Sequence, residues 1–158
     1  MRGTGGRVQY RTSDFVVDGA LRDICVLDTD VEDWRNVVSA LPFDAWEVSF
    51  ESTIEAAGLG SADGVTRLLE TIFFDDDASA RMAIGVGGVW FFCYFFELEE
   101  MEFTFDPEDI VDEAAFGSLT AFMEWLGEAC GKRVVMTMES TDHRSIPALL
   151  EYLPARQG

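Results

Sequence analysis

Residues Ala83–Phe105 read AIGVGGVWFFCYFFELEEMEFTF, where the densest apolar run of the chain turns abruptly into its densest acidic run. Gly87-Gly88 separates two apolar segments, and glycine tolerates the positive φ angles of the tight primed turns that join antiparallel strands. This spacing predicts a β-hairpin. In its outgoing arm Trp90, Phe92, Tyr94 and Phe96 fall on one face and Val89, Phe91, Cys93 and Phe95 on the other, because successive side chains of a strand alternate. No polar face is left for water, so the arm is expected to be buried on both sides, by the chain's own helices or by a second copy in a homodimer. Burying one such side chain stabilises by roughly 1.5–3 kcal/mol before entropy is charged, which makes this arm the expected anchor of the core.

Working outward, Arg81–Val86 forms the incoming arm, with Met82, Ile84 and Val86 on one face and the small Ala83 and Gly85 on the other. After a turn at Glu97–Glu99, Met101, Phe103 and Phe105 alternate with Glu100, Glu102 and Thr104, predicting a third strand with an exposed acidic face. The hairpin becomes a meander. Upstream, Trp46, Val48 and Phe50 alternate with polar residues, a strand nearer the edge. Phe15-Val16-Val17 and Leu21–Leu27 read as two short strands around the Asp18-Gly19 turn signal. Three helices are expected. The first follows a Thr29-Asp30-Val31-Glu32 capping pattern and buries Trp34, Val37, Val38 and Leu41 before Pro42. The second is capped by Ser61 and buries Val65, Leu68, Leu69 and Ile72; the third carries Phe116, Leu119, Phe122, Met123 and Leu126 and stops at Gly131. Asp106-Pro107 marks a turn, Val134–Met138 is a last clear strand, and Ile146–Leu153 is a short helix or an edge strand. The order is that of one α+β domain over residues 14–158, a mostly antiparallel sheet with a central meander and about three helices packed on it, preceded by a flexible tail at residues 1–13.

Composition narrows the chemistry. The 158 residues carry a formal charge of −19, which disfavours direct binding to nucleic-acid phosphates or anionic lipid and favours a cationic partner. The apolar run Ile84–Phe96 is too short for a membrane span of about 20 residues. Cys25, Cys93 and Cys130 lie far apart in apolar patterns with no paired spacing, so they read as free thiols in a reducing, cytoplasmic setting. Between Arg81 and Lys132 there is no basic residue. That segment holds Glu97, Glu99, Glu100, Glu102, Asp106, Glu108, Asp109, Asp112, Glu113, Glu124 and Glu128. Asp75-Asp76-Asp77 adds three negative charges at the C-terminal end of the expected second helix, where the macrodipole is already negative. Like charge of this density opposes folding and selects a partner of opposite sign. The expected partner-binding residues are therefore Asp75, Asp76, Asp77, Glu97, Glu99, Glu100, Glu102, Asp106, Glu108 and Asp109, with aromatic anchors near Trp46, Phe103 and Trp125.

The catalytic alternatives are thin. The single histidine, His143, sits beside Asp142 and near Glu139, with no activated Ser or Cys in a nucleophile context and no second His for zinc. Asp28-Thr29-Asp30-Val31-Glu32 imitates a calcium loop but has Asp33 where glycine is required and Ser39 where the closing glutamate belongs. Gly85-Val86-Gly87-Gly88 leads into a strand, not a helix, so it is a turn and not a dinucleotide fingerprint. No catalytic residue, metal or cofactor is expected.

The segments LRDICVLDTDVEDWRNVVSAL (21–41), GVGGVWFFCYFF (85–96) leading into EMEFTFDPEDI (100–110), and FMEWLGEACGKRVVMTMES (122–140) together resemble the small, acidic α+β immunity proteins of bacterial polymorphic toxin systems. The resemblance lies in order and character and carries no catalytic motif. It implies a cytoplasmic protein that binds a cognate protein toxin tightly and blocks its active site or an essential surface; the acidic face is expected to meet a basic surface of that toxin. The alternatives are a nucleic-acid mimic that occupies a DNA- or RNA-binding protein, and a small hydrolase-like enzyme using His143.

Overall fold

A computed structural model describes residues 9–52, 69, 72–73, 79–138 and 148–154. Seven strands form one antiparallel sheet: β1 (Arg22–Leu27), β2 (Glu47–Ser52), β3 (Ala80–Val86), β4 (Val89–Cys93), β5 (Glu100–Phe105), β6 (Val134–Met138) and β7 (Leu150–Tyr152), in the order β2-β3-β4-β5-β1-β6-β7. The expected meander stands at its centre and extends to β2, which is an edge strand. Gly87 and Gly88 take φ of 56° and 89°, the primed turn their pairing requires. The C-terminal segment resolves as the other edge strand, β7. The strand β1 is inserted between β5 and β6, so its residues pair on both sides: Cys25 stands opposite Glu102 on β5 and Val135 on β6.

Two α-helices lie wholly within the described residues, α1 (Val31–Ser39) and α2 (Glu113–Cys130). The remaining expected helix, capped at Ser61, lies largely outside the described residues; of it, Leu69, Ile72 and Phe73 are helical and contribute to the core. The cap of α1 is one residue later than the sequence pattern indicates. Asp30, not Thr29, accepts the backbone N–H of Asp33, and the Asp33 side chain accepts that of Asp30, a reciprocal capping box. The hydrogen bond from the Asp33 backbone N–H is the largest of the effects that hold the Asp30 carboxyl below its ordinary range. Thr29 is released for another task, described below. The α2 helix begins at an Asp112 cap and ends on Gly131 at φ 67°.

The helices cover one face of the sheet. Ile24, Val26, Ile84, Phe91, Phe103, Val134 and Met136 meet Trp34, Val37 and Val38 of α1 and Leu119, Phe122 and Leu126 of α2 in a single cluster. Phe122 is its hub: its ring stacks on Phe91 at 4.0 Å and meets Phe103 edge-on at 5.0 Å. Phe15-Val16-Val17 is not a strand. Thr12–Phe15 is a 3-10 turn, held by the buried Arg22 guanidinium, which donates to the carbonyls of Asp14, Val16, Ala20 and Leu21. Tyr10 packs between Phe15 and Phe116.

The outgoing hairpin arm departs from its expectation in two ways. Regular pairing ends at Cys93 instead of running to Phe96, because Phe95 takes a positive φ of 56°, a conformation unusual for a bulky side chain. Burial is also one-sided. Val89, Phe91, Cys93 and Phe95 are buried, whereas Trp90 and Phe92 are half-buried, Tyr94 is 41% exposed and Phe96 77% exposed. The outer aromatics shelter one another and their small neighbours instead of a further layer. Trp90 lies over Gly85, leaving no room there for a Cβ; the Arg81 guanidinium sits 5.2 Å from the Phe92 centroid; Tyr94 and Phe96 stack at 5.5 Å.

Replacing the core hub, Phe122→Ala, is expected to cost about 3–5 kcal/mol, whereas Phe96→Ala is expected to stay within about 0.5 kcal/mol of the parent. Urea denaturation of the two variants checks the contrast.

Candidate functional site

On the sheet face turned away from the helices, the strand registers gather side chains that are far apart in sequence. This face is closed over β1 and β6, where Asp23, Cys25, Val135 and Thr137 are buried. It opens over β4 and β5, where Trp90, Phe92, Glu100 and Glu102 are half-buried. Glu100 and Glu102, two residues apart on β5, point to the same side. They stand opposite Leu27 and Cys25 of β1, and Asp23 follows on the same face, two residues from Cys25. The Cys25 thiol donates a long hydrogen bond to Glu102 Oε2 at 3.9 Å.

The electrostatics of this group are of one sign. Glu102 is pushed up to about 7, first by burial and then by the negative charges of Asp23, Glu100 and Glu97, against a smaller opposing effect of the Cys25 hydrogen bond. The same carboxylates act on Cys25, whose thiol is driven far above its ordinary range by burial and by Glu102, Glu100 and Asp23. Cys93, deeper in the sheet, is raised to about 12, mainly by burial. Neither thiol is a ready nucleophile, since the thiolate is the reactive form. Cys25 Sγ and carboxylate oxygens of Glu100 and Glu102 all lie within 4.8 Å of one another, the group among the described residues that could converge on a metal ion. It combines one soft donor with two hard ones.

Beside this group lies a cavity of about 100 Å³, lined by Trp34, Cys93, Phe95, Phe96, Glu97, Glu100 and Glu102. It exists because β4 and β5 part company. Their register is carried by Phe92 opposite Thr104, after which Tyr94–Glu99 bows away from the ladder before pairing resumes with β5. The bow is pinned from below. The Leu98 carbonyl accepts from both the Thr29 hydroxyl at 2.7 Å and the Trp34 indole N–H at 2.8 Å, and the Thr29 backbone N–H donates to Glu99 at 3.0 Å. Phe95 turns inward against Trp34 and Phe73, at centroid distances of 5.4 and 6.2 Å. The cavity is therefore bordered by aromatic rings, by Cys93 and by three carboxylates.

The structure thus divides the residues that the sequence grouped. Glu97, Glu100 and Glu102 come together at the cavity, and Glu99 is exposed next to them. Asp106, Glu108 and Asp109 lie past the far end of β5, about 17 Å along the strand from Glu100. Two of those serve the backbone there: Asp106 caps a 3-10 turn by accepting from the Glu108 N–H, and Asp109 accepts from the Trp90 N–H at 3.5 Å. Asp75, Asp76 and Asp77, like Glu139, Asp142 and His143, lie outside the described residues. The residues near which aromatic anchors are expected lie in or against the helical layer. Phe103 is fully buried, and Trp46 meets Trp125 of α2 edge-on at 5.5 Å, with the Trp125 indole donating to the Ala40 carbonyl. The aromatics beside the acidic group are instead Tyr94, Phe95, Phe96 and Trp34. The point at which the aromatic run meets the acidic run signals the first three; nothing local signals Trp34.

Because Glu102 titrates higher in the folded chain than in the unfolded one, its ionisation opposes folding, and the stability present below pH 4.5 is lost as pH rises through about 7. Glu102→Gln is therefore expected to be more stable than the parent near pH ~8 and to lose that advantage as pH falls towards about 4.5; thermal melts across this range check the sign. No helix among the described residues is long and apolar enough to cross a membrane. No family model matches the chain, and no curated protein or solved structure shows a significant likeness to it.

Proposed function

We propose that this protein is a binding module that neutralises a basic protein, in the manner of an immunity protein occupying its cognate toxin, and is not an enzyme. The observation that carries this reading is the exposed Tyr94–Phe96 stack beside Glu97, Glu99, Glu100 and Glu102. An exposed aromatic pair rimmed by charge of one sign combines an apolar anchor with a steering field. The 11 acidic residues between Arg81 and Lys132, unrelieved by any basic one, extend that field in sequence. Such a field raises the rate of encounter with a cationic surface and rejects nucleic acid. Folding carries a cost from this repulsion that a cationic partner would remove.

A row of carboxylates imitating successive phosphates is supported less well. Glu100 and Glu102 are spaced by two strand residues, about 6.7 Å, but Thr104 interrupts the row and the next acids turn away into caps.

The test is co-expression with the product of the adjacent gene, isolation of a stoichiometric complex, and measurement of its association rate against salt. Glu97→Lys combined with Glu99→Lys, both exposed, is expected to slow association by roughly tenfold or more at low salt, with the difference shrinking as salt is added. An association rate that neither the variant nor salt alters overturns the reading.

A further inference from the structure

We infer that the outer edge of β2 is an acceptor for one extended segment of the partner, its basic residues alternating with apolar ones, which joins the sheet as a further antiparallel strand. This rests on the reading of the chain as a binder of a basic protein and names the element of that partner which is recognised. β2 (Glu47–Ser52) pairs with β3 on one side and with no described strand on the other. Its six residues match residues 80–85 one for one, without a bulge. In an antiparallel ladder every second residue of an edge strand directs both its N–H and its C=O away from the sheet, so a regular edge is a template for another strand. Sheets ordinarily blunt such an edge by shortness, by proline, by lysine or by a bulge. The opposite edge follows that rule: β7 has three residues, Pro154 comes soon after it, and an ion pair joins its Glu151 to Arg133. β2 carries none of those devices.

The two faces of β2 set the chemistry of the strand it accepts. Glu47, Ser49 and Glu51 are exposed on the face turned away from the helices, whereas Val48 and Phe50, on the other face, are half-buried at the margin of the core. Glu51 stays exposed although it pairs with Arg81 at 2.5 Å, and Glu47 forms no ion pair among the described residues. Lys or Arg opposite Glu47 and Glu51 makes favourable cross-strand pairs, and apolar residues beside Val48 and Phe50 extend the core outward. A second copy of this chain is the competing occupant. The antiparallel register centred on Ser49, which keeps like faces together, sets Glu47 of each copy opposite Glu51 of the other, and like charges directly opposite destabilise the pairing. Two chains of charge −19 also repel before they meet. The glutamates that discourage self-pairing therefore select a basic strand. The edge also runs on towards the exposed aromatic stack: Arg81, paired to Glu51, lies 5.2 Å from the centroid of Phe92, two residues from Tyr94.

The probe is the peptide acetyl-Val-Lys-Val-Thr-Val-Lys-Val-amide, titrated into the full-length, isotopically labelled chain. Saturable shifts of the β2 amides are expected, with slowed hydrogen exchange at alternate β2 positions. Two derivatives are N-methylated at one or the other alternate set of peptide residues. The derivative methylated on the edge facing β2 is expected to bind roughly tenfold or more weakly, because it cannot donate to the ladder, and the other is expected to bind like the parent; charge attraction alone produces no such difference. Glu47→Lys, at an exposed position, should weaken the parent peptide by roughly two- to fivefold at low salt. Equal affinity of both derivatives and the parent overturns strand addition. Shifts centred on residues 94–102 in place of β2 overturn the edge as the site. Sedimentation showing the free chain as a dimer with its β2 amides already protected assigns the edge to a second copy and overturns the inference. The wider reading fails separately: partner association insensitive to salt leaves peptide binding at β2 intact, whereas a salt-sensitive partner complex with unperturbed β2 amides overturns this inference alone.

Discussion

The backbone carbonyl of Leu98 accepts two hydrogen bonds from the start of the first helix, one from the Thr29 hydroxyl and one from the Trp34 indole. Each is worth about 0.5–1.5 kcal/mol net, and together they decide where the connection between β4 and β5 can go. A tight turn there would carry β4 through Phe96 in regular pairing and close the sheet. Tied instead to α1, the chain leaves the ladder after Cys93, turns Phe95 into the core through a positive φ, and sets Tyr94 and Phe96 outside. The cavity, the exposed stack and the position of Glu97 beside the cavity are consequences of that tether.

The second constraint is the placement of β1. A strand from near the start of the chain sits between β5 and β6, so Asp23 and Cys25 are brought against Glu102 and Glu100 and removed from water. Burial and like charge then act together. The carboxyl of Glu102 is raised and the thiol of Cys25 is raised further. This separates the site from an ordinary solvated acidic surface, where side chains spread apart and each keeps its hydration. It also explains why the two ends of the acidic segment behave differently. Asp106 and Asp109 make backbone hydrogen bonds beyond the end of β5, and Asp112 caps α2, so their charge is partly accounted for by local structure.

The helical layer gives this face its rigidity. Phe122 stacks on Phe91 and meets Phe103, the inward neighbours of Phe92 and Glu102 along the chain. Lys132 reaches from the end of α2 to the Asp33 carboxylate at 3.0 Å and to the Asp28 carbonyl, joining the two helices across the end of the sheet. The basic residue that closes the acidic segment in sequence thus serves the scaffold in space.

Alternation and capping made most of the architecture legible in the chain itself. The glycine pair specified the hairpin, VVMTM specified β6, the heptad-like spacing of Phe116 to Leu126 specified α2, and the sign of the surface followed from counting charges. These are local properties, set by side-chain period and backbone preference within a few residues. What only the folded arrangement decided was non-local. The strand order put β1 beside β5 and so made partners of Cys25 and Glu102. The tether from Trp34 to Leu98 broke the aromatic arm, so that a run apolar on both sides in sequence came out buried on one side only. The acidic residues that looked like one face were divided by the length of β5. Period tells which side chains share a face, but which strand becomes the neighbour, and where a buried indole finds its acceptor, depends on contacts between residues far apart in the chain.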